Sequence, residues 1–289
     1  MRGRHELRDD AGVADGSTGG IGGAIAEALL SRGAAVLATG RDSRALDDLS
    51  RRLARFGDKA TFVRADLLLP DDRERLCVAA TAPRGSSASN VLINNAGTGQ
   101  FGLLHATPEA DIERLLAINV AAPLQLTRAL LPHLQQQPTA AIVNMGSVLG
   151  AIGYPGQATY SATKFALRGF SEALRRELAD SHVRVMYIAP RATRTSLNSP
   201  AVDRLNTALR VATDSPAVVA TALCRALERE RLTSVLGWPE KLYARINALM
   251  PSIVDRSLLA TLPLIKTHAA EAIAITGEAV EPIATATRA

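Results

Sequence analysis

Short apolar runs alternate with longer stretches of helical period through the first two hundred residues, and this alternation constrains the fold more than any other feature. The short runs have the length and composition of strands and occupy residues 34–40, 60–67, 90–97, 140–147 and 183–190. The stretches between them place apolar residues on one helical face, as in the sets Ile21, Ile25, Ala28, Leu29 and Ile112, Leu115, Leu116, Asn119. This repetition predicts a Rossmann-type doubly wound parallel sheet in a three-layer α/β/α arrangement, with ligands bound beyond the carboxyl ends of its strands.

The length of 289 residues fits one large α/β domain. We predict a single domain over residues 1–267, in which residues 196–262 form a substrate lid and C-terminal helices. Ser215 as a cap and Pro216 in the first turn predict a helix to about Arg231, and the following SVLG run indicates a last strand. Residues 268–289 are rich in Ala and Thr with little bulk, so we expect a poorly ordered tail.

The composition argues against several classes of partner and compartment. The 33 basic residues are scattered among 28 acidic ones without a basic run interleaved with aromatics, so we expect no nucleic-acid partner. Cys77 and Cys224 lie far apart without CxxC spacing, which predicts neither a disulfide framework nor a metal site. The first ten residues carry charges where a signal peptide needs its apolar stretch, and no window of 18 uninterrupted apolar residues occurs. We therefore expect a soluble cytoplasmic protein.

An apolar stripe near the C-terminus has two interpretations. Leu242, Ile246, Leu249 and Met250 indicate an amphipathic helix that ends at Pro251. The favoured interpretation is core or a subunit contact, so that membrane contact is not expected. The alternative is a peripheral membrane enzyme that uses residues 238–262 as its contact.

A glycine turn precedes the first helical stretch. Gly16, Gly20 and Gly22 form G-x-x-x-G-x-G just before the helical period of residues 21–32. Side chains at these positions would hold a pyrophosphate away from the backbone amides, and the helix N-terminus supplies partial positive charge to phosphates. The turn therefore predicts a dinucleotide site.

The end of the second strand indicates which dinucleotide is preferred. A site for NAD usually places a carboxylate there for the ribose 2′-hydroxyl, whereas an arginine accommodates a 2′-phosphate. Here Gly40 occupies the position of the acid and Arg41 follows it, so NADP(H) is favoured. NAD(H) stays possible because Asp42 is adjacent, and Arg41 as a solvated loop residue is the alternative.

Tyr160 and Lys164 stand at i and i+4, and therefore on one helical face. Ser147 ends the preceding apolar run, thirteen residues before Tyr160. A hydride transfer to or from a carbonyl carbon requires a proton at the oxygen, and a free tyrosine with a pKa near 10 is a poor base. A neighbouring ammonium such as that of Lys164 would lower the tyrosine pKa, and Ser147 would hydrogen-bond the substrate oxygen.

Together with NNAG at residues 94–97 and Asn119 in LAINV, these motifs resemble the classical short-chain dehydrogenase/reductase family over residues 16 to about 195. The resemblance implies a catalytic tetrad, which is Asn119, Ser147, Tyr160 and Lys164. It also implies that Tyr160 and Lys164 contact the cofactor, with Lys164 on the nicotinamide ribose, and that Asn119 anchors a water that relays protons to Lys164.

Further cofactor contacts are implied by the same resemblance. They are Ile21 in the glycine turn, Asp66 and Leu67 at the adenine end, Asn94 and Ala96 under the adenosine, and Thr195 at the carboxamide. The resemblance implies a homodimer or homotetramer. Residues 148–157 and 196–214 are expected to enclose a small apolar carbonyl or alcohol substrate.

Two positions depart from the family pattern. Asp15 replaces a threonine before Gly16, and the strand before it, Ala11 to Ala14, is short and small for a sheet centre. A carboxylate near the pyrophosphate would repel it, so we expect weakened cofactor binding, and the alternative is a binding or scaffold protein on the same fold. Arg191 replaces a glycine after Pro190, which predicts either an exposed side chain or contact with a phosphate or acidic substrate group.

Overall fold

Seven strands and ten helices make up the described part of the chain. The structure is a computed structural model that describes residue 7 and residues 10–82 and 88–276. The strands are β1 (Ala11–Ala14), β2 (Ala35–Gly40), β3 (Ala60–Arg64), β4 (Val91–Asn94), β5 (Ala140–Met145), β6 (Val183–Ala189) and β7 (Thr233–Val235). The helices are α1 (Gly20–Leu30), α2 (Ser43–Leu53), α3 (Pro70–Thr81), α4 (Glu109–Leu116), α5 (Ala122–Leu134), α6 (Ala158–Glu177), α7 (Pro200–Ala208), α8 (Pro216–Glu228), α9 (Glu240–Leu249) and α10 (Pro251–Thr276).

The strands form one parallel sheet in the order β3-β2-β1-β4-β5-β6-β7. Helices α1, α2 and α8 cover one face, and α3, α5 and α6 cover the other. Successive strand residues alternate between the two apolar clusters, so that Leu92 packs on one side and Ile93 on the other. This arrangement confirms the predicted doubly wound parallel sheet.

The short first strand occupies the middle of the sheet. β1 pairs with both β2 and β4, and all four of its residues are buried. The Ala11 amide donates to the Asn90 side-chain oxygen at 2.9 Å, which fixes the start of the strand. A Cβ built on Gly12 would lie 4.0 Å from Leu29 in ordinary van der Waals contact, so α1 packs directly on this strand. Small residues therefore suit this position even though they lack the bulk expected of a central strand.

The predicted helix boundaries hold in part. α8 begins at Pro216 as predicted, but the Ser215 side chain makes no capping hydrogen bond and the helix ends at Glu228. On α4, Leu115 is buried whereas Leu116 is 46% exposed, so the prediction that Leu116 lies on the buried face is wrong.

The last helix extends beyond the predicted boundary of the domain. α10 continues to Thr276, and Ile265 and Ala269 are fully buried within it. Arg204 on α7 and Glu271 on α10 form an ion pair at 3.2 Å. The expectation of poor order from residue 268 is therefore wrong for residues 268–276, and residues 277–289 lie outside the described part of the chain.

Candidate active site

The glycine turn brings the backbone of β1 and α1 against the end of β4. Gly16 has φ +58°, and a Cβ on it would lie 2.7 Å from the Ala96 Cα. A Cβ on Gly22 would overlap the Gly16 carbonyl oxygen. Only hydrogen fits at either position, because both obstructions are backbone atoms. The turn is thus shaped to expose backbone amides at the N-terminus of α1, as a phosphate site requires.

A cavity of about 320 Å³ lies beyond the carboxyl ends of β1, β2, β3 and β4. Nine predicted cofactor residues line it, which are Gly16, Gly20, Ile21, Gly22, Arg41, Asp66, Leu67, Ala96 and Thr195. The other lining residues were not predicted as cofactor contacts, and they include Thr18, Asn95, Gly97 and Arg114. Thr18, Asn95 and Gly97 lie within or beside motifs that the sequence makes visible, whereas no sequence signal marks Arg114.

Three predicted cofactor contacts, Asn94, Tyr160 and Lys164, do not line this cavity, and Asn94 faces away from it. Its side chain is buried and donates to Thr127 Oγ1 at 3.0 Å and to Asn144 Oδ1 at 2.7 Å. These partners belong to α5 and β5, so Asn94 ties the sheet to a helix instead of lining the cavity. Asn95 lines the cavity in its place. The prediction was wrong by one residue because successive positions along a strand face opposite sides.

The end of β2 and the residue after it, Gly40 and Arg41, line one end of this cavity. A Cβ on Gly40 would come within 2.5 Å of Thr18 Cγ2, so a side chain at this position requires Thr18 to move. Asp42 caps α2 by accepting from the Ala45 amide at 3.1 Å, and it does not line the cavity. Arg41 is exposed and does line it. The charged side chain at this end of the cavity is therefore the arginine.

Asp15 lies below the glycine turn and points away from the cavity. Its carboxylate is only 1% exposed and accepts hydrogen bonds from the backbone amides of Asn95 and Ala96. Burial raises the pKa of Asp15 to about 6, and the two amides and the Lys164 charge act against that rise. The expected repulsion of a pyrophosphate therefore does not follow from this geometry. Asp15 instead fixes the loop that carries Ala96.

Ser147 and Tyr160 meet beyond the end of β5. Ser147 follows that strand and accepts from the Leu149 amide at 3.1 Å, whereas Tyr160 lies in the first turn of α6. The Ser147 side chain lies beside the Tyr160 hydroxyl, close enough to influence its pKa. Lys164, one turn along α6, donates to the Met145 carbonyl at 3.0 Å and lies 5.7 Å from the centre of the Tyr160 ring. Three of the four predicted catalytic residues thus converge at one point.

Asn119 reaches the same region from a π-helical turn. Residues Ala117–Ala121 form this turn between α4 and α5. The Asn119 side chain accepts from the Thr98 amide at 2.8 Å and donates to the Thr98 carbonyl at 2.9 Å. A Cβ on Gly97 would lie 3.1 Å from Asn119 Oδ1 and 3.7 Å from Lys164 Nζ. Gly97 therefore lets Asn119 and Lys164 approach from both sides of the same loop.

Burial shifts the pKa values of Tyr160 and Lys164 in opposite directions. It raises the pKa of Tyr160 to about 12, and the hydrogen bond from Ser147 acts in the opposite direction. Burial lowers the pKa of Lys164 to about 8, and the Asp15 carboxylate raises it in part. The predicted lowering of the tyrosine pKa by Lys164 is not seen in this structure, so Tyr160 holds its proton at neutral pH.

Tyr187 on β6 is a residue that the sequence analysis missed. Its hydroxyl accepts from the Ser147 amide at 3.4 Å and donates to the Ser147 carbonyl at 3.3 Å. A Cβ on Gly146 would collide with its ring. Tyr187 therefore fixes the backbone that presents the Ser147 hydroxyl, and its position in a plain apolar strand gives no sequence signal for this role.

A second cavity of about 520 Å³ adjoins the first one. The two share the lining residues Ile21, Thr195 and Leu197. The second cavity contains Ser147 and Tyr160, and its apolar lining includes Phe101, Val148, Leu149, Ile152, Val202, Val254 and Leu258. Its walls come from both segments expected to enclose a substrate, 148–157 and 196–214, and also from α9 and α10.

Arg191 lies at one side of this second cavity. It pairs with Asp214 at 2.7 Å and with Glu240 at 3.6 Å, and its side chain is 19% exposed. The prediction of an exposed side chain is therefore wrong, and Arg191 lines the second cavity, not the first one where a cofactor phosphate was expected; contact with an acidic substrate group stays a prediction. The arginine instead connects the loop after β6 to the start of α9.

The chain matches one known protein family over most of its length. The model of the short chain dehydrogenase family matches residues 13–206, which carry both cavities' central motifs. The chain belongs to the short-chain dehydrogenase/reductase family. This family membership confirms the resemblance found in the sequence.

Individual relatives of this short-chain dehydrogenase agree with that assignment. YxnA, an uncharacterized oxidoreductase of Bacillus subtilis, is 32% identical over 257 residues, which are 87% of this chain and 72% of that protein. A short-chain dehydrogenase from Sphingobium yanoikuyae in complex with NADPH is 29% identical with a TM-score of 0.71, covering 87% of this chain and 95% of that one. One from Burkholderia cenocepacia in complex with NADP is 25% identical with a TM-score of 0.75, covering 88% and 99%. This chain therefore has the fold of a family of oxidoreductases whose similar structures hold NADP or NADPH.

Proposed function

We propose that this short-chain dehydrogenase is an NADP(H)-dependent oxidoreductase that interconverts a ketone and a secondary alcohol. The observation that carries the proposal is that Ser147 and Tyr160 both line the second cavity, which adjoins the first and shares Thr195 with it. A carbonyl oxygen in that cavity can accept from both hydroxyls. The pair therefore supplies both orientation and a proton at one atom.

Tyr160 acts as the acid in the direction of reduction. Because burial raises its pKa to about 12, the phenol is protonated at neutral pH and donates its proton to the oxygen as the carbonyl carbon is reduced. The resulting phenolate lies one helical turn from the Lys164 ammonium, which stabilises it. Ser147 donates a second hydrogen bond to the developing alkoxide. In the direction of oxidation the Tyr160 phenolate, stabilised by the Lys164 ammonium, takes the proton from the alcohol.

The residues of the first cavity fit NADP(H). The glycine turn offers its amides to a pyrophosphate, and Gly16 and Gly22 leave room that any side chain would fill. Arg41 and Thr18 would hold a 2′-phosphate, because no carboxylate lines the end of β2 among the described residues. Bound in this cavity, the nicotinamide supplies or accepts the hydride. Thr195, at the junction of the two cavities, would hold its carboxamide end.

The second cavity suits a small, mostly apolar substrate. Val148, Leu149 and Ile152 cover one side, and Val254 and Leu258 of α10 cover another. Burial against these side chains favours an apolar substrate. Its carbonyl group would accept hydrogen bonds from the Ser147 and Tyr160 hydroxyls.

Nucleotide titration tests the cofactor part of the proposal. We expect the purified protein to bind NADPH more tightly than NADH by calorimetry. Arg41→Ala should weaken NADPH binding about tenfold to a hundredfold, the usual effect of losing a charged hydrogen bond, and leave NADH binding unchanged. Arg44→Ala on the exposed side of α2 is the matched control and should change neither.

Two outcomes would contradict this proposal. Equal losses for NADPH and NADH in Arg41→Ala would show that the arginine does not recognise the 2′-phosphate. No binding of either nucleotide at millimolar concentration would favour a scaffold protein on this fold. A panel of apolar ketones with NADPH, followed at 340 nm, then tests the reaction itself.

A further inference from the structure

The α9–α10 helix pair leaves a group of large apolar side chains exposed. They form what we call the apolar corner, which consists of Trp238, Leu242, Leu249, Met250 and Ile253, with exposed fractions of 67%, 44%, 80%, 50% and 49%. Leu242 and Leu249 are seven residues apart and lie on one side of α9, and the last three flank its junction with α10. Leu242, Leu249 and Met250 of the predicted apolar stripe are therefore exposed in the single chain and are not core.

The corner is held rigidly on the rest of the protein. Ile246 of α9 and Val254 and Leu258 of α10 belong to an apolar cluster with Val148 and Ile152. The Asn247 side chain on α9 also donates to the Ala151 carbonyl at 2.9 Å. Because the inner side of the helix pair is anchored in this way, its outer side has a fixed orientation.

Basic side chains surround the corner. Lys241 and Arg245 are exposed on α9 and line one groove with Arg225, Arg229 and Arg231 of the α8 region. Arg256 is exposed on α10, one turn after Ile253.

The acids nearby offset little of this charge. Asp255 is exposed beside Arg256, whereas Glu240 is paired with Arg191, Glu228 with Arg32 and Glu230 with Arg184. The exposed rim of the corner is therefore positively charged, in a chain whose net charge is +5.

We infer that the apolar corner binds the surface of an anionic phospholipid bilayer. Large apolar side chains with an adjacent tryptophan and a basic rim are the combination that places an amphipathic helix at the headgroup level of such a membrane. Phosphate headgroups complement the basic rim. A second copy of the chain fits less well, because a two-fold contact through the corner would bring two basic rims together.

The contact is peripheral. The one helical stretch of the described residues that is long and apolar enough to span a membrane is Glu109–Leu134, and its Leu126, Leu130 and Leu134 are buried against the sheet. The bilayer contact therefore belongs to α9 and α10. Tyr243, Val254, Ser257 and Leu258 of the same helices also wall the second cavity, so the contact places that cavity beside the membrane.

Vesicle binding tests the inference on the full chain, without nucleotide or substrate, so its result does not depend on the proposed function. We expect co-flotation with vesicles of phosphatidylcholine and phosphatidylglycerol, and little with phosphatidylcholine alone. Trp238 is the single tryptophan of the chain, so its emission should shift to the blue and be quenched by brominated lipid. No flotation with anionic vesicles would overturn the inference, and flotation that salt abolishes without a tryptophan shift would overturn it too.

Matched variants locate the contact. Leu249→Glu with Ile253→Glu should reduce vesicle partitioning on the order of tenfold or more, since it removes two apolar anchors and adds repulsion. Val78→Glu is the control, because Val78 is 65% exposed on α3, far from α9 in the fold. Arg245→Gln should cost roughly fivefold, the effect of one basic residue near an anionic surface, whereas Arg44→Gln should cost nothing.

The variants also exclude covering of the corner by a second copy. Light scattering should give the same mass for the parent chain and for Leu249→Glu with Ile253→Glu. A change from dimer to monomer in that double variant would assign the corner to self-association and overturn the membrane contact. Equal partitioning of the double variant and its parent would overturn it as well.

Discussion

At the scale of single residues, the proposed reaction depends most on Tyr160. Burial raises the pKa of Tyr160 to about 12, so the phenol is protonated at neutral pH, as the proposed role of proton donor requires. Tyr160→Phe keeps the ring and removes the hydroxyl. We expect kcat to fall by about 10² to 10⁴, the usual contribution of a positioned acid, while NADPH affinity stays within a few-fold.

Steady-state kinetics measure the effect of Tyr160→Phe on kcat, and calorimetry measures its effect on NADPH affinity. Retention of most of kcat in Tyr160→Phe would remove the tyrosine from the reaction. A parallel loss of NADPH binding would instead mean that the substitution disturbs the cofactor site.

Asp15 makes a prediction about the pH dependence of stability. Burial raises its pKa from 3.8 to about 6, so the folded state holds a proton that the unfolded state has lost between these values. Stability of the parent chain therefore falls as pH rises from about 4 to about 6, by an amount on the order of 3 kcal/mol. Asp15→Asn preserves an oxygen that accepts from the Asn95 and Ala96 amides and lacks this loss.

Urea unfolding at pH 4.5 and pH 7.5 measures the difference. Asp15→Asn should be more stable relative to the parent chain at pH 7.5 than at pH 4.5. The same difference at both pH values would show that the carboxylate does not titrate in this range.

At the scale of elements, β1 has room for a side chain at its glycine, Gly12, whereas α1 has none at Gly22. A Cβ on Gly12 would meet its neighbours at 3.9 Å and beyond, which is ordinary contact, whereas one on Gly22 would overlap the backbone of Gly16. We expect Gly12→Ala to be neutral or to stabilise by up to about 1 kcal/mol, because it restricts the unfolded chain. Gly22→Ala should lower stability and abolish NADPH binding.

Thermal unfolding and nucleotide titration of the two variants check this prediction. Because both variants replace glycine with alanine, a difference between them reflects the position and not the type of substitution. Equal effects of the two substitutions would contradict the packing described for β1.

The same elements show what the sequence could predict. Strand and helix alternation predicted the sheet, because period and turn residues act locally. The exposure of Leu116 and the inward position of Asn94 were not predictable in this way, since a shift of one residue changes the face on which a side chain lies. The order of residues 268–276 was also missed, because an Ala-rich segment that lacks bulk still has high helix propensity, and here Ala269 is buried.

At the scale of the whole molecule, the site depends on separate parts of the chain that meet beyond one edge of the sheet. The glycine turn, the loop after β4 and the start of α6 could be placed there from the sequence, because parallel strands bring their carboxyl ends together. The pairing of Arg191 with Asp214 and Glu240 could not, since it joins segments whose contact depends on the packing of α9. Tyr187 behind Ser147 was missed for the same reason.

The close approach of Gly40 to Thr18 has a consequence for how the cofactor preference proposed for this chain could evolve. A carboxylate at position 40 would require a side chain whose Cβ lies 2.5 Å from Thr18 Cγ2. An aspartate gained at position 40 alone would therefore be penalised before it offered any new contact to a ribose. A different Thr18 rotamer or a smaller residue at position 18 would relieve this contact, so a change at position 18 would make the aspartate easier to accept.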